Sequence, residues 1–120
     1  MVLLVNRAKM DTSTTGTGTI TLGSASDGYQ TFAAAGVTDT DLVRYVIEDG
    51  SNWEIGTGTY TASGTTLSRT VSESSNAGSA INLSGSAVVF IAATTSDLSV
   101  NQDYGLVTGT VGPINDYGSV

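Results

Sequence analysis

Cysteine and histidine are both absent from the 120 residues. Without cysteine there is no disulfide framework, no thiolate nucleophile and no Cys-based zinc site. Without histidine the commonest general base and the commonest transition-metal ligand are missing. The many serines therefore have no Ser-His pairing. Basic residues are scarce: four Lys and Arg stand against eleven Asp and Glu, for a net charge of −7. Nucleic-acid binding draws on Lys and Arg to neutralise phosphates and release counterions, so DNA and RNA are not expected partners. The same acidity argues against anionic membranes. Charged residues make up only 12% of the chain, well below average usage. Long hydrophobic runs are missing too. The run Val2–Val5 is too short for a signal-peptide core or a membrane span. It predicts a first β-strand, or else an arm that adds a strand to a neighbouring subunit.

Threonine, serine and glycine fill the composition, with 39% hydrophobic residues to build a core. That mixture suits short strands joined by tight turns, since β-branched threonine favours strands. Ile20 and Leu22 alternate with Thr19 and Thr21, which predicts a strand closed by the turn cluster "GSASDG". "YQTFAAAGVTDTD" predicts an irregular connection that drops Phe32 into the core. "LVRYVIEDGSNWEIG" is the clearest pattern: Val43, Tyr45 and Ile47 share a face, and a loop of about four or five residues returns the chain at Trp53 and Ile55. In the return strand, a bulge at Gly56 and Gly58 would bring Tyr60 to the face of Trp53 and Ile55. Leu67, Arg69 and Val71 share the face of the next strand. "AVVFIAA" is apolar on both faces and predicts a central strand. The fold expected is all-β: a small antiparallel β-sandwich or barrel over residues 1–95, with an extended C-terminal arm over residues 96–120.

The glycine-rich stretches "TTGTGTITLG" and "WEIGTGTYTASGTTLSRT" invite a phosphate-loop reading, which the spacing rejects. A P-loop needs a lysine after its second glycine, and the only lysine is Lys9. A dinucleotide loop needs a third glycine and a following helix, yet Thr21 and Thr61 stand at those positions. Among the carboxylates, Glu48 and Glu54 flank the hairpin turn and are expected to face solvent rather than form a glycosidase pair. Asp39 and Asp41 could contribute to a calcium site, but the EF-hand pattern is missing. Tyr29, Tyr45, Trp53 and Tyr60 could stack on sugars; the competing reading makes Tyr45 and Trp53 a cross-strand core pair. No catalytic residue, cofactor or metal is expected.

From Thr94 the composition changes. "DYGLV" at Asp103–Val107 recurs as "DYGSV" at Asp116–Val120, thirteen residues later, and the only proline, Pro113, lies between. Two copies are too few for a solenoid. These units predict either ordinary strands of the same domain or a segment that docks on a partner. The candidate partner-binding residues are Tyr104, Leu106, Val107, Tyr117 and Val120.

The word order "NRAKM…TTGTGTITLGSA…GYQTFAAAGV…VRYVIEDGSNWEIGTGTYTASGTTLSRT…ESSNAGSAINLSGSAVVFIAA" resembles the amino-terminal domain of tail-fibre and other virion structural proteins of tailed bacteriophages. The resemblance spans about Asn6 to Ala93, and "NWEIGTGTYTASGTTLSRT" is its most specific part. It implies attachment and assembly on the virion surface, without catalysis; a subunit of a repetitive assembly is in turn expected to be a homo-oligomer that binds other virion proteins. The resemblance carries no functional residues over. Fibre proteins continue into a shaft and a receptor-binding tip, whereas this sequence ends at Val120. The expectation is therefore a small adaptor, a fibre anchor or a capsid decoration protein. The alternative is a carbohydrate-binding module for a host surface polysaccharide.

Overall fold

A computed structural model describes residues 2–98, and the candidate residues Tyr104, Leu106, Val107, Tyr117 and Val120 lie outside them. In chain order the described elements begin with three short strands, β1 (Lys9–Thr12), β2 (Thr15–Gly16) and β3 (Ile20–Thr21). A single helical turn α1 (Phe32–Ala35) precedes the long hairpin β4 (Leu42–Asp49) and β5 (Asn52–Thr61). Then come β6 (Thr66–Leu67), β7 (Thr70–Ser74), β8 (Leu83–Ser84), β9 (Ala87–Ile91) and a last turn α2 (Thr95–Leu98). The all-β expectation holds.

The turn between β4 and β5 sets the register of everything else. It has two central residues, Gly50 and Ser51, with Asp49 paired to Asn52. Gly50 takes a φ of 64°, which a short hairpin turn of the correct twist requires of its first residue. This is tighter than the four or five residues expected. Directly opposed residues share a face, and Tyr45 opposes Gly56. Val43, Tyr45 and Ile47 therefore face inward together with Glu54, Gly56, Gly58 and Tyr60. Trp53 and Ile55 face outward, against expectation. Tyr60 reaches the core without a shift in β5. The slip is in β7, where Ser72 is skipped as Ile55 opposes Glu73 and Gly56 opposes Val71.

The sheet runs β1-β9-β4-β5-β6-β3, with β7 on the same edge of β5 as β6. It curls into a half-barrel. The gap between β1 and β3 is bridged rather than open. Asp11 donates its N–H to Ser24 O at 2.8 Å and accepts that of Gly23 at 2.7 Å. The Thr12 hydroxyl donates to Thr21 O at 2.7 Å, and Thr14 Oγ1 accepts from Thr21 N–H at 2.9 Å. Threonine hydroxyls thus supply hydrogen bonds that a neighbouring strand would make, which shields both edges. β2 and β8 form a separate two-stranded ribbon.

The expected central strand is β9, between β1 and β4. Its Ala87, Val89 and Ile91 are buried, while Val88 and Phe90 are half-buried on the outer face. Phe32 is fully buried, as expected. It is delivered by α1, which Thr31 caps by accepting the Ala34 N–H at 3.0 Å and which Gly36 ends at φ 116°. Burying a side chain of this size contributes about 1.5–3 kcal/mol. The run Val2–Val5 is not a strand. β9 occupies one edge of β4 from Tyr45 to Glu48, so Leu3 finds room only at Val43, in one parallel bridge.

Candidate functional site

Inside the half-barrel the sequence places a carboxylate where its alternation was expected to place solvent. Glu54 is completely buried. It opposes Ile47 on β4, so a residue of the inward row is acidic. Arg69, in the short link between β6 and β7, meets it side-on: Nη2 to Oε1 at 2.6 Å and Nε to Oε2 at 3.0 Å. The Tyr45 hydroxyl donates to Oε2 at 2.7 Å, and the Ile81 N–H donates to Oε1 at 2.9 Å. Arg69 also donates through Nη2 to Ile81 O at 2.8 Å and through Nη1 to Gly16 O and Gly18 O, both at 3.2 Å. One guanidinium thereby fixes the β2–β3 loop, β5 and the loop before β8. A planar fork with five N–H groups is suited to this convergence.

Burial pushes the Glu54 carboxyl towards the neutral form. Arg69, the Tyr45 hydroxyl and the Ile81 amide together outweigh burial and hold it below the usual carboxylate range. Tyr45 goes the other way: burial, reinforced by the adjacent carboxylate, raises its hydroxyl well above the ordinary tyrosine value. Both groups are locked in the state they hold at neutral pH. A carboxylate so engaged is a poor general base, because every lone pair in reach already accepts a hydrogen bond. The cluster holds shape.

A second acidic group closes the inward row. Asp49 accepts the Ser84 N–H and hydroxyl, each at 2.7 Å, tying the hairpin end to β8.

The expected site residues are dispersed. Glu48 is exposed on the outer face and Glu54 buried on the inner one, so they cannot flank one glycosidic bond. Asp39 Oδ1 accepts the Ala62 N–H at 2.9 Å, and Asp41 Oδ2 accepts the Thr38 N–H at 2.8 Å. These are loop locks, and among the described residues no three acidic groups gather as a metal site. A hollow of about 310 Å³ lined by Asp11, Thr12, Ser13, Gly23, Gly85 and Ser86 among others holds one carboxylate, itself hydrogen-bonded to Ser26. The first glycine-rich stretch presents carbonyls to a cation, the reverse of a phosphate cradle. In the second, a Cβ on Gly56 would lie 2.7 Å from the Tyr45 hydroxyl oxygen, so glycine makes room for that ring.

The aromatic platform does not form either. Tyr45 and Tyr60 are buried, and Tyr45 opposes Gly56 rather than Trp53. Tyr29 is exposed under the Arg7 guanidinium, 4.0 Å from its ring centroid, with the Lys9 ammonium at 5.0 Å. Lys9 stands on β1 and Trp53 on β5, with β9 and β4 between them.

The outer face of the sheet is where apolar side chains are left over. Phe90, Val46 and Ile55 stand in one row across β9, β4 and β5, and Val88, Glu48 and Trp53 in the next. Val46, Ile55, Val88 and Phe90 are half-buried, and Trp53 is 39% exposed. At one end of these rows Arg44 is covered by the chain leaving β9. Asp97 of α2 takes the guanidinium side-on, Nε to Oδ2 at 3.1 Å and Nη2 to Oδ1 at 3.2 Å. Asp97 also accepts the Thr94 N–H at 2.9 Å. The Arg44 hydrogen bonds, with smaller help from Thr94, hold its carboxyl below the usual range. Asp97 lies past residue 95, where the domain was expected to end.

Compared with known proteins, the chain matches no family model, no curated protein and no solved structure.

Proposed function

We propose that this chain is a non-enzymatic structural subunit of a tailed-phage virion, a capsid decoration protein or a tail-fibre anchor that binds other virion proteins. The word string from Asn6 to Ala93 motivates the phage assignment. The observation that carries the structural role is the division of labour between the two faces of the sheet. Inside, the charged groups Glu54 and Arg69 are engaged with one another and with backbone, which favours a rigid unit. Outside, an apolar face with Trp53 offers area for contact. The β1 and β3 edges bridge each other, and assembly draws on the outer face and on the terminal segment with Tyr104, Leu106, Val107, Tyr117 and Val120. A homo-oligomeric, repetitive arrangement fits a low-charge surface of this kind.

The reading is tested on particles. Deleting residues 103–120 is expected to abolish incorporation into virions while the purified variant keeps the β-sheet circular dichroism of the full chain. Normal incorporation would remove the terminal segment from the proposal. Absence of the full chain from purified particles, by quantitative mass spectrometry, would remove the virion role itself.

A further inference from the structure

We propose that residues 99–120 cover the outer face of their own sheet, with the first Tyr-Gly-aliphatic unit seated over Val46, Ile55 and Trp53. Three observations converge on this occupant. First, the face is apolar beyond what a solvated sheet face normally carries: alternation on an antiparallel sheet puts polar residues outside, yet Val46, Ile55, Trp53, Val88 and Phe90 all point that way. Second, the chain that leads into the segment is fixed at this face as far as Asp97. The side-on contacts between Arg44 and Asp97 hold α2 over β4, and the next outward residue on that strand is Val46. Third, the lengths agree. From the Arg44 row to the row of Trp53 is two pleat repeats, about 13 Å at roughly 3.3 Å per residue. Tyr104 follows Asp97 by seven residues, an extended reach of about 23 Å.

The chemistry is complementary as well. The segment 99–120 has no basic residue and only Asp103 and Asp116 as acids. Its Tyr104, Leu106 and Val107 offer the apolar surface that the face lacks as cover. Lys9 borders the face from β1, its ammonium 5.6 Å from the Phe90 ring, and offers a cation to Asp103, while Glu48 in the row of Trp53 and Glu73 opposite Ile55 leave that part of the face to the uncharged Tyr-Gly-aliphatic unit. Tethering favours this occupant over a free partner, since a short linker gives an effective concentration in the millimolar range. In an assembled particle the same residues could exchange this face for the equivalent face of a neighbour, a low-cost route to subunit contacts. The inference rests on the geometry of this chain, not on the virion assignment.

Trp53 is the only tryptophan, so the cover can be read directly. In the full chain, nuclear Overhauser contacts are expected between the Trp53 indole and the aliphatic protons of Leu106 or Val107. Replacing both residues in the full chain (Leu106→Ser, Val107→Ser) should shift Trp53 emission to longer wavelength. It should also raise acrylamide quenching about twofold, as the indole loses its apolar contacts. Both readouts should be independent of protein concentration. The proposal is overturned if the wild-type indole shows no contact to residues 99–120, or if the double variant and the wild type quench alike. It is also overturned if protection of Trp53 appears only as concentration rises, which would assign the face to a second copy. None of these outcomes depends on whether the chain is found in particles.

Discussion

Arg69 and Arg44 grip their carboxylates in the same way, side-on through Nε and Nη2, from opposite faces of one sheet. Their surroundings differ. The Arg69 and Glu54 side chains are 2% and 0% exposed, and backbone carbonyls of two loops take further guanidinium hydrogens. The Arg44 and Asp97 side chains are 10% and 13% exposed, and the pair ties one short turn to one strand. A buried ion pair is weak evidence of net stabilisation, because desolvation offsets attraction. Its loss is nevertheless severe, since the remaining charge has no water to turn to. A partly exposed pair has that escape, so its loss is mild. The same bidentate contact is thus an internal frame on one face and a local latch on the other.

The largest effect should come from breaking the inner pair on one side only. Arg69→Ala leaves Glu54 buried with Tyr45 and the Ile81 amide as its remaining partners, and is expected to lower stability by about 3–5 kcal/mol in urea unfolding. Replacing both charges (Glu54→Leu with Arg69→Met) should cost less than Arg69→Ala alone, since no charge is stranded. A double variant no more stable than the single would show that the hydrogen bonds of the cluster, and not stranded charge, carry the effect. The pH dependence has a definite sign. The folded-state pKa of Glu54 lies below its ordinary value of 4.5. Its contribution is therefore present above pH 4.5 and is lost as pH falls through the folded value. Glu54→Gln should flatten the acid limb of stability against pH below that point.

A smaller loss should follow when the same cluster is disturbed by volume rather than charge. A Cβ on Gly56 would come within contact distance of the Thr70 carbonyl oxygen and 2.9 Å from the Tyr45 ring. Gly56→Ala must part β5 from β7 or displace Tyr45 from Glu54, with an expected cost of about 1–3 kcal/mol. Gly18 lends its carbonyl to Arg69, but nothing lies within 4 Å of its would-be Cβ. Gly18→Ala should change stability by less than about 0.5 kcal/mol. Thermal melts of the two variants side by side measure the contrast. Equal effects would mean that the Arg69 contacts to the β2–β3 loop are as sensitive as the packing under Tyr45.

The fold was legible where alternation and composition agreed. Ile20 and Leu22, the face of Val43, Tyr45 and Ile47, and the β9 strand followed from periodicity alone. β5 misled because its larger apolar residues, Trp53 and Ile55, lie on the outer face, while its inner face carries an acid and two glycines. Shifting a strand by one residue exchanges its faces, so hydrophobicity assigned the wrong parity. A signal was available: a two-residue turn at Gly50-Ser51 puts Tyr45 opposite Gly56, and from there Glu54 and Tyr60 fall inside. Glu54 would then have needed a cation, and Arg69 was already placed on the face of Leu67. The bulge was expected beside the glycines of β5, whereas the extra residue sits in β7, because glycine lets that strand come close. Nothing local in the sequence announces the pairing of Arg44 with Asp97, which depends on how the chain leaves β9.

The mildest test addresses that latch. Asp97→Asn keeps an oxygen able to accept the Thr94 N–H, so the turn retains its cap while the charge is removed. The expected loss is about 0.2–1 kcal/mol, as for ion pairs with access to water. Because the folded-state pKa of Asp97 lies below 3.8, the wild-type advantage should be present above that pH and vanish as pH falls through the folded value. The more telling readout is local. Amide exchange of Asp97, whose N–H is donated to Thr94 O at 3.0 Å, should accelerate in the variant while that of Ile47 and Val89 stays at the global rate. If core amides accelerated equally, the outer pair would be part of the frame, and the two arginines would differ in burial but not in role. If only the turn responds, the latch is separable from the barrel, as a fixed starting point for a covering segment must be.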